Sequence, residues 1–260
     1  MFHRFRLVVA GVAVTLALVG SVACSDGSDA GEDTGIEPLV GQWRGVLLSP
    51  GGELPFYFRV NPQGSDPPAV VINAGAERPL LSVARQGAAS YTLTFFNDRD
   101  SQIVAEMSPD GEELHGFWSK TNEPPPPGSS SNAVTQMPFS ATKTDQRRFQ
   151  RNDPTLDIVS ADGIAAVPNV DGEWEGMLAW GPSDRAFSGV MLQSEERVTT
   201  EIITGPPGLE GSYRDGLLRL SMFDGSRALL LHARATPAGA LEGTMWMTDQ
   251  RVSRWSARRR

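Results

Sequence analysis

The chain holds one cysteine, two lysines and three histidines among its 260 residues. With Cys24 the sole thiol, an internal disulfide and any multi-cysteine metal site are excluded. His3 lies in the leader described below, and His115 and His232 sit in unrelated contexts, so each reads as a surface or half-buried side chain. No G-x-S-x-G elbow, H-E-x-x-H pair or G-x-x-x-x-G-K loop occurs. The expectation is no catalytic residue, no metal and no cofactor. Lys120 and Lys143 are the only lysines, and every other basic side chain is arginine, which reads as the mark of a GC-rich coding genome. Acidic residues outnumber basic ones by 31 to 23, which argues against nucleic acid as the main partner. No stretch after Cys24 carries a helical stripe, whereas 27 Gly and 19 Pro suit short strands and tight turns.

The lone cysteine has a distinctive position. Arg4 and Arg6 form a positive n-region, residues 7–19 an apolar h-region, and Gly20, Ser21, Val22 and Ala23 lead into Cys24. This resembles a secretory leader ending in a bacterial lipobox, with Ser21 where that motif prefers Leu. The apolar run is shorter than the ~20 residues a membrane span needs. Residues 1–23 are therefore expected to be cleaved and Cys24 lipidated, palmitate included. Each buried methylene contributes about 0.8 kcal/mol, and two acyl chains make a stable anchor. The protein is expected to be exported and held in the cell envelope, at an outer membrane or cell surface, with the membrane itself as a partner. Residues 24–37 carry Asp26, Asp29, Glu32, Asp33 and Glu37 among small polar residues and read as a tether.

The rest contains a repeat. Gly41-Gln42-Trp43-Arg44-Gly45-Val46-Leu47 is echoed by Gly172-Glu173-Trp174-Glu175-Gly176-Met177-Leu178. Leu93-Thr94-Phe95-Phe96-Asn97 matches Leu220-Ser221-Met222-Phe223-Asp224, Leu114-His115-Gly116 matches Leu241-Glu242-Gly243, and Phe139-Ser140-Ala141 matches Trp255-Ser256-Ala257. Landmarks in one order mean a duplication. Trp43, Trp174, Phe96 and Phe223 mark its structural positions. Within each copy apolar residues recur at period two, as in Phe56-Tyr57-Phe58-Arg59-Val60 and Leu218-Arg219-Leu220-Ser221-Met222. The expected fold is all-β: two tandem antiparallel meanders, each a small up-and-down barrel or sandwich. Repeat 1 covers 38–143, a polar linker 144–169, and repeat 2 170–258. The G-x-W near the first strand resembles lipocalin-like barrels, in which the Trp closes the barrel floor. A Pro-rich insert at 124–131 reads as a loop within repeat 1.

The region also resembles the segment preceding the redoxin domain in TlpA-like thioredoxin-fold disulfide reductase lipoproteins. The likeness rests on Gly51-Gly52-Glu53-Leu54-Pro55-Phe56, Val71-Ile72-Asn73-Ala74-Gly75-Ala76-Glu77-Arg78, Leu220-Ser221-Met222-Phe223-Asp224-Gly225-Ser226-Arg227-Ala228, and Leu241-Glu242-Gly243 with Trp246. That family continues into a Cys-x-x-C domain, whereas Cys24 is the one cysteine of this chain. The resemblance therefore implies the accessory β region and not the redox activity; a separate thioredoxin-like protein acting in trans is one reading of the missing domain, and a β module that works alone is the other.

Among candidate sites, Asn73, Glu77 and Arg78 stand beside an apolar strand as the best ligand or partner contact. Trp43, Trp118, Trp174 and Trp246 read as barrel core, or as the lining of a cavity for a small apolar ligand. Residues 97–100 faintly resemble a calcium loop but lack its glycine and distal glutamate. Arg251, Arg254 and Arg258 to Arg260 form a basic end, expected to fray in solvent, with contact to anionic head groups as the alternative. The leading expectation is a non-catalytic envelope lipoprotein that binds or scaffolds. The alternatives are a ligand-carrying barrel and a hydrolase with dispersed carboxylates.

Overall fold

Alternation in the sequence becomes alternation of inward and outward side chains. In β5 (Ser90–Phe95), for example, Tyr91, Leu93 and Phe95 are buried while their neighbours are half exposed. The computed structural model describes residues 35–95, 101–121, 134–143, 148–149, 169–180, 183–204, 208–248 and 252–260. Cys24 with the leader and most of the tether, Phe96, residues 97–100, the Pro-rich insert and most of the 144–169 linker lie outside the described residues. Among the described residues no helix is long and apolar enough to cross a membrane.

The first barrel comprises β1 (Gly41–Ser49), β2 (Gly52–Val60), β3 (Ala69–Asn73), β4 (Ala76–Arg85), β5, β6 (Gln102–Met107), β7 (Glu113–Thr121) and β8 (Val134–Lys143). Each strand pairs antiparallel with the next, and β8 returns to β1. The second repeats this order with β9 (Gly172–Trp180), β10 (Ser183–Ser194), β11 (Arg197–Thr204), β12 (Glu210–Arg214), β13 (Leu217–Phe223), β14 (Ala228–Ala235), β15 (Leu241–Met247) and β16 (Val252–Arg259). The fold is thus two tandem up-and-down barrels, and the sandwich alternative falls away. Closure gives every described strand a neighbour on both sides.

Each position of the G-x-W-x-G motif has a structural reason, and the same reason holds in both copies. Gly41 and Gly172 adopt φ of 129° and 122°, a conformation that L side chains rarely reach. The indole N–H of Trp43 donates to the Leu39 carbonyl at 2.8 Å, and that of Trp174 donates to the Val170 carbonyl at 2.8 Å. Gly45 lies opposite Phe56 and Gly176 opposite Phe187, where a Cβ would collide with the facing ring.

The last strand completes the latch. Lys143 lies opposite Trp43, with its ammonium 5.3 Å from the ring centroid, and donates to the Pro38 carbonyl at 3.0 Å. Arg259 lies opposite Trp174, with its guanidinium 5.4 Å from the ring, and donates to the Asn169 carbonyl at 2.8 Å. One end of each barrel is therefore fastened by the lead-in segment, the first strand and the last strand together.

The interiors differ in composition. The first is aromatic: Trp43, Phe56, Phe58, Tyr91, Phe95, Trp118 and Phe139 are buried in one cluster. Trp43 and Phe58 stack with centroids 6.1 Å apart. The second is built on leucine, with Met191, Met222, Met245 and Met247 beside Trp174 and Trp255. Burying each such side chain contributes roughly 1.5–3 kcal/mol.

Candidate functional site

In an isolated barrel the outward residues of β13 would meet water. Here all seven residues of the strand are buried. Its inward residues Leu218, Leu220 and Met222 fill the second barrel, and its outer face packs on the first barrel.

The hairpin at 223–228 enters the first barrel at the end opposite the Trp43 latch. Phe223, Ala228 and Leu230 belong to the first barrel's core. The Phe223 ring lies 4.4 Å from that of Phe56 and meets Phe95 and Trp118 edge-on at 5.2 and 5.5 Å. Polar groups of the first barrel bind the hairpin backbone. Asn73 Nδ2 donates to the Phe223 carbonyl, and its Oδ1 accepts from the Phe223 N–H at 3.2 Å. The Ser101 hydroxyl and the Trp118 indole N–H donate to the Gly225 carbonyl. Lys120 Nζ donates to the Ser226 carbonyl at 2.7 Å. Asp224 holds the hairpin's shape by accepting from the Ser226 and Arg227 N–H groups at 3.1 and 2.7 Å. In return, the Gly51 turn of the first barrel lies against the Trp246 indole, leaving no room for a Cβ.

Beside this plug is a buried polar cluster centred on Arg148, a residue of the linker. Its guanidinium donates to the Ser221 hydroxyl at 3.0 Å, the Ser221 carbonyl at 3.1 Å, Asn73 Oδ1 at 2.9 Å and Glu210 Oε2 at 3.2 Å. The Ser221 hydroxyl donates onward to the Pro55 carbonyl, and Arg44 Nε donates to the Arg148 carbonyl at 3.0 Å. Burial lowers the Arg148 pKa to about 10, against an opposing pull from Glu210, so the side chain stays cationic at neutral pH. Glu210 also accepts from the Ala74 N–H at 3.0 Å and from Arg197 Nε at 2.8 Å. A fork of five donors suits this multi-partner role in a way an ammonium would not.

Over the cluster opens a groove of about 790 Å³, bordered by Tyr57 and Ile72 of the first barrel, Phe149 of the linker, and Ser194, Glu195 and Arg197 of the second. Arg197 is 61% exposed there, while Glu210 beneath it is 7% exposed.

The structure separates the residues singled out from sequence. Asn73 turns into the inter-barrel junction, so the surface it contacts is the chain's own second barrel. Glu77 stays outside and accepts from Arg59 at 2.9 and 3.0 Å, an exposed pair worth about 0.2–1 kcal/mol. Arg78 is exposed on β4. Trp43, Trp118 and Trp174 are core, but Trp246 faces out of its own barrel and packs against the first barrel's core cluster. The basic end does not fray: β16 runs to Arg259, and Arg258 and Arg260 both donate to Glu175, at 2.9 and 3.0 Å. Sequence reasoning missed Arg148 and Glu210, whose only signal was the presence of charge among polar neighbours.

No family model, curated protein or solved structure matches the chain. Any functional reading therefore rests on the geometry of the junction and its groove.

Proposed function

We propose that the chain is a non-catalytic, lipid-anchored envelope protein in which the two barrels act as one binding or scaffolding module. The observation that carries this reading is the state of the first barrel. Its interior is occupied by its own rings, and its mouth is filled by the 223–228 hairpin. A small apolar ligand finds no entry there, and among the described residues the groove between the barrels offers a partner a concave surface. The anchor part of the proposal rests on the leader and Cys24. A Cys24→Ser chain expressed in the native host should incorporate no radiolabelled palmitate and should leave the membrane fraction. Retained label would reject lipidation.

The carrier alternative keeps one support, the four buried methionines in the second barrel's core, since methionine adapts to irregular apolar ligands. Titration of residues 38–260 with cis-parinaric acid separates the two readings. The module reading expects no saturable one-to-one binding and no quenching of tryptophan. Stoichiometric binding would replace it with the carrier reading. The likeness to TlpA-like proteins adds one candidate partner, a thioredoxin-fold protein at the same membrane. Cross-linking in intact cells should then capture a Cys-x-x-C protein, and recovery of wall components alone would end that connection.

A further inference from the structure

We propose that the inter-barrel groove binds an uncharged oligosaccharide. This rests on the groove being the module's binding face and adds the class of ligand it takes.

Elimination narrows the chemistry first. At about 790 Å³ the groove is within the roughly 300–1,000 Å³ of small-molecule sites. Two guanidiniums, Arg148 and Arg197, border it against three carboxylates, Glu195, Glu196 and Glu210. Both guanidiniums already bond Glu210. A phosphate or sulfate entering here meets an excess of negative charge, and a polycation meets two arginines. A wholly apolar ligand would strip water from charged side chains without replacing their hydrogen bonds.

What remains is a neutral molecule with an apolar face and a polar rim. A pyranose has that form: axial C–H groups on its faces and hydroxyls around its edge. Tyr57, Ile72 and Phe149 give the groove apolar surface. Gln42, Ser194, Glu195 and Arg197 give it both donors and acceptors, and the planar ends of Gln, Glu and Arg span two neighbouring hydroxyls. The wall is also set before binding. Arg197 is held by Glu210, which is held in turn by Arg148 and the Ala74 N–H. A pre-ordered side chain loses less entropy on contact with ligand.

The test uses the mature chain and three neutral probes, tri-N-acetylchitotriose, cellotriose and maltotriose, followed by saturation-transfer NMR and calorimetry. The acetylated probe stands for structural wall glycan and the other two for free glucans, so their ranking identifies the source. At least one should bind saturably. Arg197→Ala should weaken it about tenfold or more, the effect of losing a hydrogen bond from a charged group. Arg254→Ala, exposed on β16 away from the groove, should bind as wild type. Binding that is unchanged in Arg197→Ala overturns the proposal, as does silence from all three sugars. Tripeptides and a sulfated oligosaccharide form a further arm. If one of these binds in the groove and the sugars do not, the ligand class is wrong and the module reading stands. If nothing binds in the groove and cis-parinaric acid enters a barrel, the module reading fails as well.

Discussion

Asn73 and Phe223 form a pair in which a side chain stands in for a β-strand. The Asn73 amide donates to the Phe223 carbonyl and accepts from the Phe223 N–H, as a neighbouring backbone would, across the boundary between the two barrels. It satisfies both main-chain groups at the end of β13, where pairing with β12 has stopped at Ser221 while β14 still lies opposite Phe223. Asn73→Ala would leave a buried donor and a buried acceptor without these partners, at a cost of about 1–3 kcal/mol each. Urea unfolding should register the loss. Wild-type stability would mean that water reaches these groups.

Phe223 belongs to the second repeat by sequence and to the first barrel's core by packing. Phe223→Ala should cost about 3–5 kcal/mol. Loosening should be detected in the first barrel, through the emission of Trp118, which meets the ring edge-on. Both barrels should still melt in one transition, because they share this core. Two separate transitions in the wild type would contradict the shared core.

The duplicated latch predicts matched effects. Trp43→Phe and Trp174→Phe keep a ring but delete the N–H that reaches the Leu39 or Val170 carbonyl. Each should destabilise by roughly 0.5–1.5 kcal/mol from the hydrogen bond, plus the lost ring volume. Thermal melts of the two variants should shift alike. A large shift in one and none in the other would show that only one latch bears on stability.

Acid should loosen the C-terminal strand. Hydrogen bonds from Arg258 and then Arg260 hold the Glu175 carboxyl below the usual carboxylate range. A carboxyl whose folded pKa is depressed contributes stability that is present above its unfolded pKa and is lost as pH falls through the folded value. The melting-temperature difference between wild type and Glu175→Gln should therefore be largest at neutral pH and vanish in strong acid. A difference that grows on acidification would show that Glu175 is not clamped.

Much of the fold was legible because inward residues obey a simple rule. Phe139 and Trp255, matched from sequence, lie opposite Leu47 and Leu178 in register, and the G-x-W-x-G positions coincide element by element. The junction was not legible, for the opposite reason. Arg219 and Ser221 alternate with Leu218 and Leu220, so they read as the wet face of a strand; the first barrel and the linker residues Arg148 and Phe149 bury them. Arg148 sits in a polar stretch that reads as linker, and no periodicity marks a guanidinium whose partners come from residues 73, 210 and 221. Asn73 was picked out, but nothing local to it says that its surroundings belong to the same chain.

Since the 223–228 hairpin fills the mouth of the first barrel, order of emergence matters. During synthesis the first eight strands precede the segment that completes their core. Until the chain has passed Ala228, the rings of Phe56, Phe95 and Trp118 lack the Phe223 ring that packs on them. The early barrel is in that interval an unfinished template with an apolar opening, the kind of surface on which newly made chains associate with one another. A gene truncated after the first repeat would make that interval permanent. The duplication has thus turned two equivalent units into an ordered pair, in which the later one is the earlier one's last step of folding.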